Sequence, residues 1–264
     1  MASHTPVSID NAKCVLVIGA TSGLGRSLAL AISELPSRPT VIAAGRRQDR
    51  LKELEDKKLA TLQFDVAADE ETLKKTIDSL VAKYPNLDAV LLASGIQYQV
   101  DFNKHVNLSQ VNKEMHVNYL APVAIISMFL PHFLKLSAES RPSFVIPITS
   151  GLALMPSPYV PNYSASKAAL RSFSISLRAQ LKSTHVNVVE IIPPLVESEL
   201  HDEQGTTPML AKFWMPLDEY TTKTMEGLRR GDEQVAVGMA GTVLKRFEGL
   251  DQPFPTAGIE RERK

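Results

Sequence analysis

Ser150, Tyr163 and Lys167 are the side chains whose types and spacing could do chemistry together. Tyr163 and Lys167 stand four residues apart at the start of a strongly helical run within residues 157–170, SPYVPNYSASKAAL. That spacing puts both on one helix face, one turn apart. An ammonium beside a phenol favours the phenolate and lowers its pKa. A tyrosine so tuned gives or takes a proton near neutral pH, which a tyrosine at its ordinary value of about 10 does poorly. Ser150 follows the apolar run 144–148, at a predicted strand end, where its hydroxyl could hold a carbonyl oxygen beside the tyrosine. Tyr-x-x-x-Lys is also a common pairing on exposed helices, so the rest of the chain must decide.

Short apolar, β-branched runs at 13–18, 40–44, 61–64, 88–92, 143–149 and 186–192 read as strands. Helical stretches separate them: one opened by the glycines after 18, then 48–58, 69–81, 108–118 continued by 120–136, and 163–181. Asp69 or Asp65 could cap the third of these. Stretches 217–228 and 235–247 read as two closing helices. The alternation implies an α/β fold: a single Rossmann-type, doubly wound parallel sheet with helices on both faces and right-handed crossovers. Ligands of such sheets lie beyond the C-terminal ends of the strands. The glycine turn, Arg46, Asp65, Gly95, Ser150 and Pro193 all fall at predicted strand ends.

Gly19, Gly23 and Gly25 mark a tight turn from the first strand into an amphipathic helix. Such a turn brings free backbone N–H groups and a helix N-terminus to a phosphate. Its G-x-x-x-G-x-G spacing differs from the G-x-G-x-x-G fingerprint. It is not a Walker loop, because Ala20 and Arg26 replace the first glycine and the lysine. At the end of the second strand a dinucleotide fold reads the adenosine ribose. An acid there accepts from a free 2′-hydroxyl, and arginine accommodates a 2′-phosphate. Here Arg46 and Arg47 follow Gly45 with no acid between, which favours NADP(H) over NAD(H). The competing reading is that both arginines only begin the solvated helix QDRLKELEDKK.

The 264 residues allow one large α/β domain over 1–264, with loose tails expected at 1–12 and 252–264. Basic and acidic residues number 29 each, which argues against a nucleic-acid or membrane-surface partner. The single cysteine, Cys14, permits no intrachain disulfide and lies in an apolar run, where a buried, inert thiol is expected. No apolar core of signal-peptide length opens the chain, so a cytoplasmic protein is expected. Segment 120–134 is apolar but carries Pro122, Pro131 and His132, and reads as a core or interface helix rather than a membrane span. The histidines and the cysteine show no metal-ligand spacing.

From about 13 to 198 these residues, in this order, resemble the short-chain dehydrogenase/reductase family. Gly19, Thr21, Ser22, Gly23, Leu24 and Gly25, in GATSGLG, are similar to the family's cofactor loop. Asp65 and Val66 resemble the pair that holds the adenine, and Ser94-Gly95 the segment after the fourth strand. Asn118, in HVNYLAP, matches the active-site asparagine, and Ser150, Tyr163 and Lys167 match the catalytic serine, tyrosine and lysine. Pro193, Val196 and Ser198 lie in a segment similar to the nicotinamide-side Pro-Gly stretch. Three departures stand out: Ile18 in place of threonine, Leu92-Ala93-Ser94-Gly95 in place of Asn-Asn-Ala-Gly, and Pro194 in place of glycine. The Pro-Pro pair resembles a divergent subgroup.

The resemblance implies hydride transfer between nicotinamide and a carbonyl or alcohol of a small organic substrate. Tyr163 would protonate the carbonyl oxygen and Ser150 donate to it. Lys167 would lower the tyrosine pKa and hold the nicotinamide ribose, with Asn118 supporting a water-mediated proton path. Residues 197–233 would cover the substrate, with Met209, Phe213, Trp214 and Met215 as an apolar lining. The family's helix surfaces imply a homodimer or homotetramer. A hydrolase reading of Ser150 fails, since no G-x-S-x-G elbow surrounds it and no histidine is a clear partner. Two alternatives stay open: a cofactor-binding sensor or scaffold with little turnover, and an NAD-linked alcohol dehydrogenase.

Overall fold

The computed structural model describes residues 7–247 and Pro253. Among them six parallel strands form the main sheet, in the order β3-β2-β1-β4-β5-β6. These are β1 (Cys14–Ile18), β2 (Thr40–Gly45), β3 (Ala60–Gln63), β4 (Ala89–Leu92), β5 (Ser143–Pro147) and β6 (Val186–Val188). Residues along a strand point alternately to opposite faces. Val15 and Val17 therefore enter one core with α1 (Gly23–Ser33). Cys14, Leu16 and Ile18 enter the other with α3 (Glu70–Lys83). Both faces are covered, which is why β1 and β4 are apolar throughout. Cys14 is buried, and burial first, then the nearby Asp88 carboxylate, pushes its thiol up to about 12, so it is inert at neutral pH.

The expected strand 186–192 is two pieces. β6 pairs with β5, and β7 (Glu190–Ile192) pairs with β8 (Gln234–Ala236). A bridge from Ile148 to Ile191 joins the two sheets. β8 corrects the expected helix 235–247. The left-handed turn at Gly238 (φ +58°) ends the strand segment and opens a shorter helix, Met239–Leu244. Residues 7–12 also depart from expectation. Ile9 is buried, and Asp10 accepts from Arg229 Nε at 3.1 Å, so this stretch is tied to the core. The tail expectation for 252–264 lies outside the described residues except at Pro253.

α2 spans Gln48–Asp56, and Asp69 caps α3 by accepting from Thr72 N at 2.8 Å. α4 (Leu108–Met115) passes through a π turn, His116–Leu120, into α5 (Ala121–Ala138). This run is long and apolar enough by composition to cross a membrane. Its apolar face, Ile125, Ile126, Phe129 and Phe133, packs on the sheet as a core helix does. α6 spans Pro161–Gln180, α7 Thr207–Leu210 and α8 Leu217–Arg230. α8 packs against α1 and buries Tyr220, Met225 and Leu228. The part of 197–233 free to cover a ligand is therefore only the stretch before α8.

Candidate active site

The chain order places β1 beside β4, where the winding of the sheet reverses. A crevice opens at such a switch point beyond the strand ends. The turn after β1 forms one wall. Gly19 has φ +92°, and a Cβ there would sit 2.7 Å from Ser94 N. At Gly25 a Cβ would lie 2.3 Å from Gly19 O. Only glycine lets this turn press against the Ser94-Gly95 segment after β4. Ser22 is the N-cap of α1, yet its hydroxyl caps no N–H of the helix. The first-turn amides of α1 thus face the crevice as anion donors.

The cation on this turn is Arg47. Its Nε donates to Thr21 Oγ1 at 3.2 Å and its Nη2 to Ser22 Oγ. Arg50 of α2 joins it, with Nη1 donating to Thr21 O at 3.3 Å. Arg46 is exposed and makes no hydrogen bond or ion pair among the described residues. Glu199 crosses from the opposite wall and pairs with both Arg47, at 2.9 Å, and Arg50. Sequence reasoning missed Arg50 and Glu199. Residues 47 and 199 stand 152 apart, so no local pattern joins them. Ser198 reaches the same turn, 3.4 Å from where a Gly23 Cβ would be. Asp65 is exposed just past β3 and accepts from Ala67 N at 3.0 Å, while Val66 is buried in the core.

Across the crevice lie the residues expected to do chemistry. Ser150 caps a short turn by accepting from Leu152 N at 3.1 Å. Gly151 N donates to Pro193 O at 2.8 Å, which pins the serine segment to the stretch after β7. Tyr163 is only 7% exposed and Lys167 4%. Lys167 Nζ donates to Ile148 O at 2.9 Å and lies 5.7 Å from the centre of the Tyr163 ring. Asn118, inside the π turn, is fully buried. Its Nδ2 donates to Ile96 O at 2.9 Å and to Ser166 Oγ at 3.1 Å, and its Oδ1 accepts from Ile96 N. The π turn turns this amide inward, a common use of such bulges at functional sites. Gly95 lies against both groups. A Cβ there would be 3.5 Å from Asn118 Oδ1 and 3.7 Å from Lys167 Nζ.

One expectation is corrected. Lys167 was to lower the Tyr163 pKa. In the protein by itself burial pushes the phenol up to about 12, with hydrogen bonding to Ser150 opposing the rise and the Glu114 charge adding to it. Desolvation outweighs the lysine because the ammonium is aimed at Ile148 O rather than at the phenol oxygen. Burial lowers Lys167 itself to about 8, against the pull of Glu114. A separate hollow of about 410 Å³, edged by Lys223, Arg230, Val237 and Lys245, holds none of these residues.

The donor set suits an anionic dinucleotide. Amides and two arginines sit at one end of the crevice and a buried lysine at the other. Residues 13–208 match the family model described as short chain dehydrogenase. A Bacillus subtilis (strain 168) protein described as the uncharacterized oxidoreductase DltE is 34% identical, over 89% of this chain and 89% of its own length. Among solved structures, a Burkholderia cenocepacia J2315 short chain dehydrogenase in complex with NADP superposes with a TM-score of 0.76 at 22% identity, covering 92% of this chain and 95% of its own. A Burkholderia phymatum short chain dehydrogenase/reductase in complex with NAD superposes with a TM-score of 0.77 at 16% identity, covering 94% and 98%. With its Rossmann-type sheet and the Ser150, Tyr163 and Lys167 constellation, the chain belongs to the short-chain dehydrogenase/reductase family. It is an oxidoreductase of that family.

Proposed function

We propose that this oxidoreductase uses NADP(H) to reduce the carbonyl of a small organic substrate, with Tyr163 as general acid. The observation that carries the reading is the burial of Ser150, Tyr163, Lys167 and Asn118 around one crevice that also holds the glycine turn. The nicotinamide, when bound, supplies the hydride that the carbonyl carbon gains. Arg47 and Arg50 would hold the 2′-phosphate of the dinucleotide, the α1 amides its pyrophosphate, and Lys167 its nicotinamide ribose. Tyr163 gives its proton to the carbonyl oxygen, and Ser150 donates a hydrogen bond to the same oxygen. The proton is restored to Tyr163 from the side of Lys167 and Asn118.

A phenol held near about 12 stays protonated at neutral pH, which suits reduction rather than alcohol oxidation. Lys167 loses its own proton above about 8. Reductive kcat is therefore expected to stay flat through neutral pH and to fall on the alkaline side from about 8. A profile that rises with pH would favour the oxidative direction instead. The reading is tested by loss of NADPH absorbance with a panel of aliphatic and aromatic ketones and aldehydes; no turnover with any of them counts against it.

The case for NADP(H) rests on the arginines at the glycine turn. The relatives' bound cofactors include both NADP and NAD, so they support a nicotinamide dinucleotide without choosing. Arg47→Ala removes a side chain held against Thr21 and Ser22. It is expected to weaken NADPH by about tenfold or more while NADH changes by about twofold or less, since only the former carries the 2′-phosphate. Fluorescence quenching of Trp214 reads both affinities. Equal losses for the two cofactors would show that Arg47 does not select between them.

A further inference from the structure

Glu114 is a fully buried carboxylate that no step above uses. It lies on α4 four residues before Asn118. Glu114 Oε1 accepts from Tyr98 N at 2.8 Å, and Oε2 accepts from Asn162 Nδ2 at 2.6 Å. Asn162 Nδ2 also donates to Val111 O at 3.1 Å. Asn118 grips the same two partners one rung further along, the loop after β4 at Ile96 and α6 at Ser166. Asn162 and Ser166 stand four apart on α6, and each immediately precedes a reacting residue, Tyr163 and Lys167. Two rungs from one helix thus fix both the loop that flanks Lys167 and the turn of α6 that presents the phenol. A carboxylate costs far more to bury than an amide. Here both of its oxygens accept from N–H donors, which one glutamine oxygen cannot do.

We propose that Glu114 is a positioning residue for the Tyr163–Lys167 pair, clasping the Ile96–Tyr98 loop to Asn162 beside the phenol. Its charge acts on Tyr163 and Lys167 of α6, and from the loop it meets the Tyr98 N–H. The direction of each shift agrees with this. Glu114 opposes the fall that burial imposes on Lys167 and adds to the rise of Tyr163. Burial holds Glu114 itself above the usual carboxylate range, and Asn162, Tyr98 and Lys167 pull it back.

The test is Glu114→Gln, nearly isosteric but neutral, with one of the two acceptors replaced by a donor. The inference rests on Tyr163 as proton donor, so one readout is taken from the protein without cofactor: the titration of Lys167 Nζ by NMR of ¹⁵N-lysine-labelled protein, assigned with Lys167→Ala. The midpoint is expected to fall by about one unit or more when the neighbouring charge is removed. The alkaline limb of reductive kcat moves down with it, because both Lys167 and Tyr163 lose protons more readily. Reductive kcat falls by about 10- to 100-fold as the phenol loses its clasp. The Kd for NADPH stays within about threefold, since the arginine end of the crevice is untouched. An unchanged Lys167 midpoint with kcat within about twofold of wild type would overturn the proposal, whatever the melting temperature does. Asn162→Ala serves if the glutamine variant does not fold. It cuts only the α6 arm, and should lower kcat while leaving Lys167 charged; wild-type kcat in this variant also overturns the positioning role. A wild-type protein that reduces no carbonyl defeats the functional reading instead, while the Lys167 midpoint still judges Glu114.

Discussion

Tyr163→Phe is expected to lower kcat for carbonyl reduction by about 10²- to 10⁴-fold, the usual worth of a positioned proton donor. NADPH should bind the variant within about twofold of wild type, because only one oxygen is lost. The ring is buried and keeps its packing, and Lys167 keeps its bond to Ile148 O. Steady-state rates and a binding isotherm on the same preparation separate the two effects. Retained turnover would remove Tyr163 from the chemistry. Binding without turnover in the wild type would move the chain to the sensor or scaffold reading.

The second large effect is on stability. Glu190 is fully buried on β7 and accepts from Arg171 Nη1 at 2.6 Å and from Thr149 Oγ1 at 2.7 Å. Arg171 is itself buried on α6. This pair lies directly behind Ser150, through Thr149. Glu190→Ala breaks this buried pair by removing one partner, which costs about 3–5 kcal/mol. For a domain of this size that is a fall in melting temperature of roughly 10 °C. Replacing both, as Arg171→Met with Glu190→Met, should recover most of the loss, because both members of the pair are removed together and the Thr149 hydroxyl keeps Ile191 O as acceptor. Thermal melts of Arg171→Met, Glu190→Met and the double variant complete the cycle. A double variant as unstable as Glu190→Ala would mean that the pair contributes attraction beyond its desolvation cost.

Much of the site was legible in the sequence because it is locally encoded. Tyr163 and Lys167 share a helix face by spacing alone. The glycines of the first turn are dictated by a close backbone approach that a Cβ would block. The parallel sheet followed from apolar runs alternating with helices, since strands buried on both faces carry no polar residues. What stayed hidden depends on non-local contact or on burial. β8 is three residues long and exists only because β7 pairs with it. The ion pairs of Glu199 with Arg47 and Arg50 join segments about 150 residues apart. The tyrosine pKa moved opposite to expectation because desolvation cannot be read from spacing. Glu114 did leave a signal, an acid one helical turn before Asn118, but its meaning needed the loop and α6 around it.

Calorimetric titration of the pure protein with NADPH and with NADH measures how the arginine end of the crevice chooses its cofactor. NADPH is expected to bind with a Kd on the order of micromolar, about tenfold or more tighter than NADH, through the Arg47–Arg50 end of the crevice. Tighter NADH would leave an oxidoreductase but overturn the role given to the arginines. Heat from neither cofactor at millimolar concentration would contradict the proposed enzyme outright.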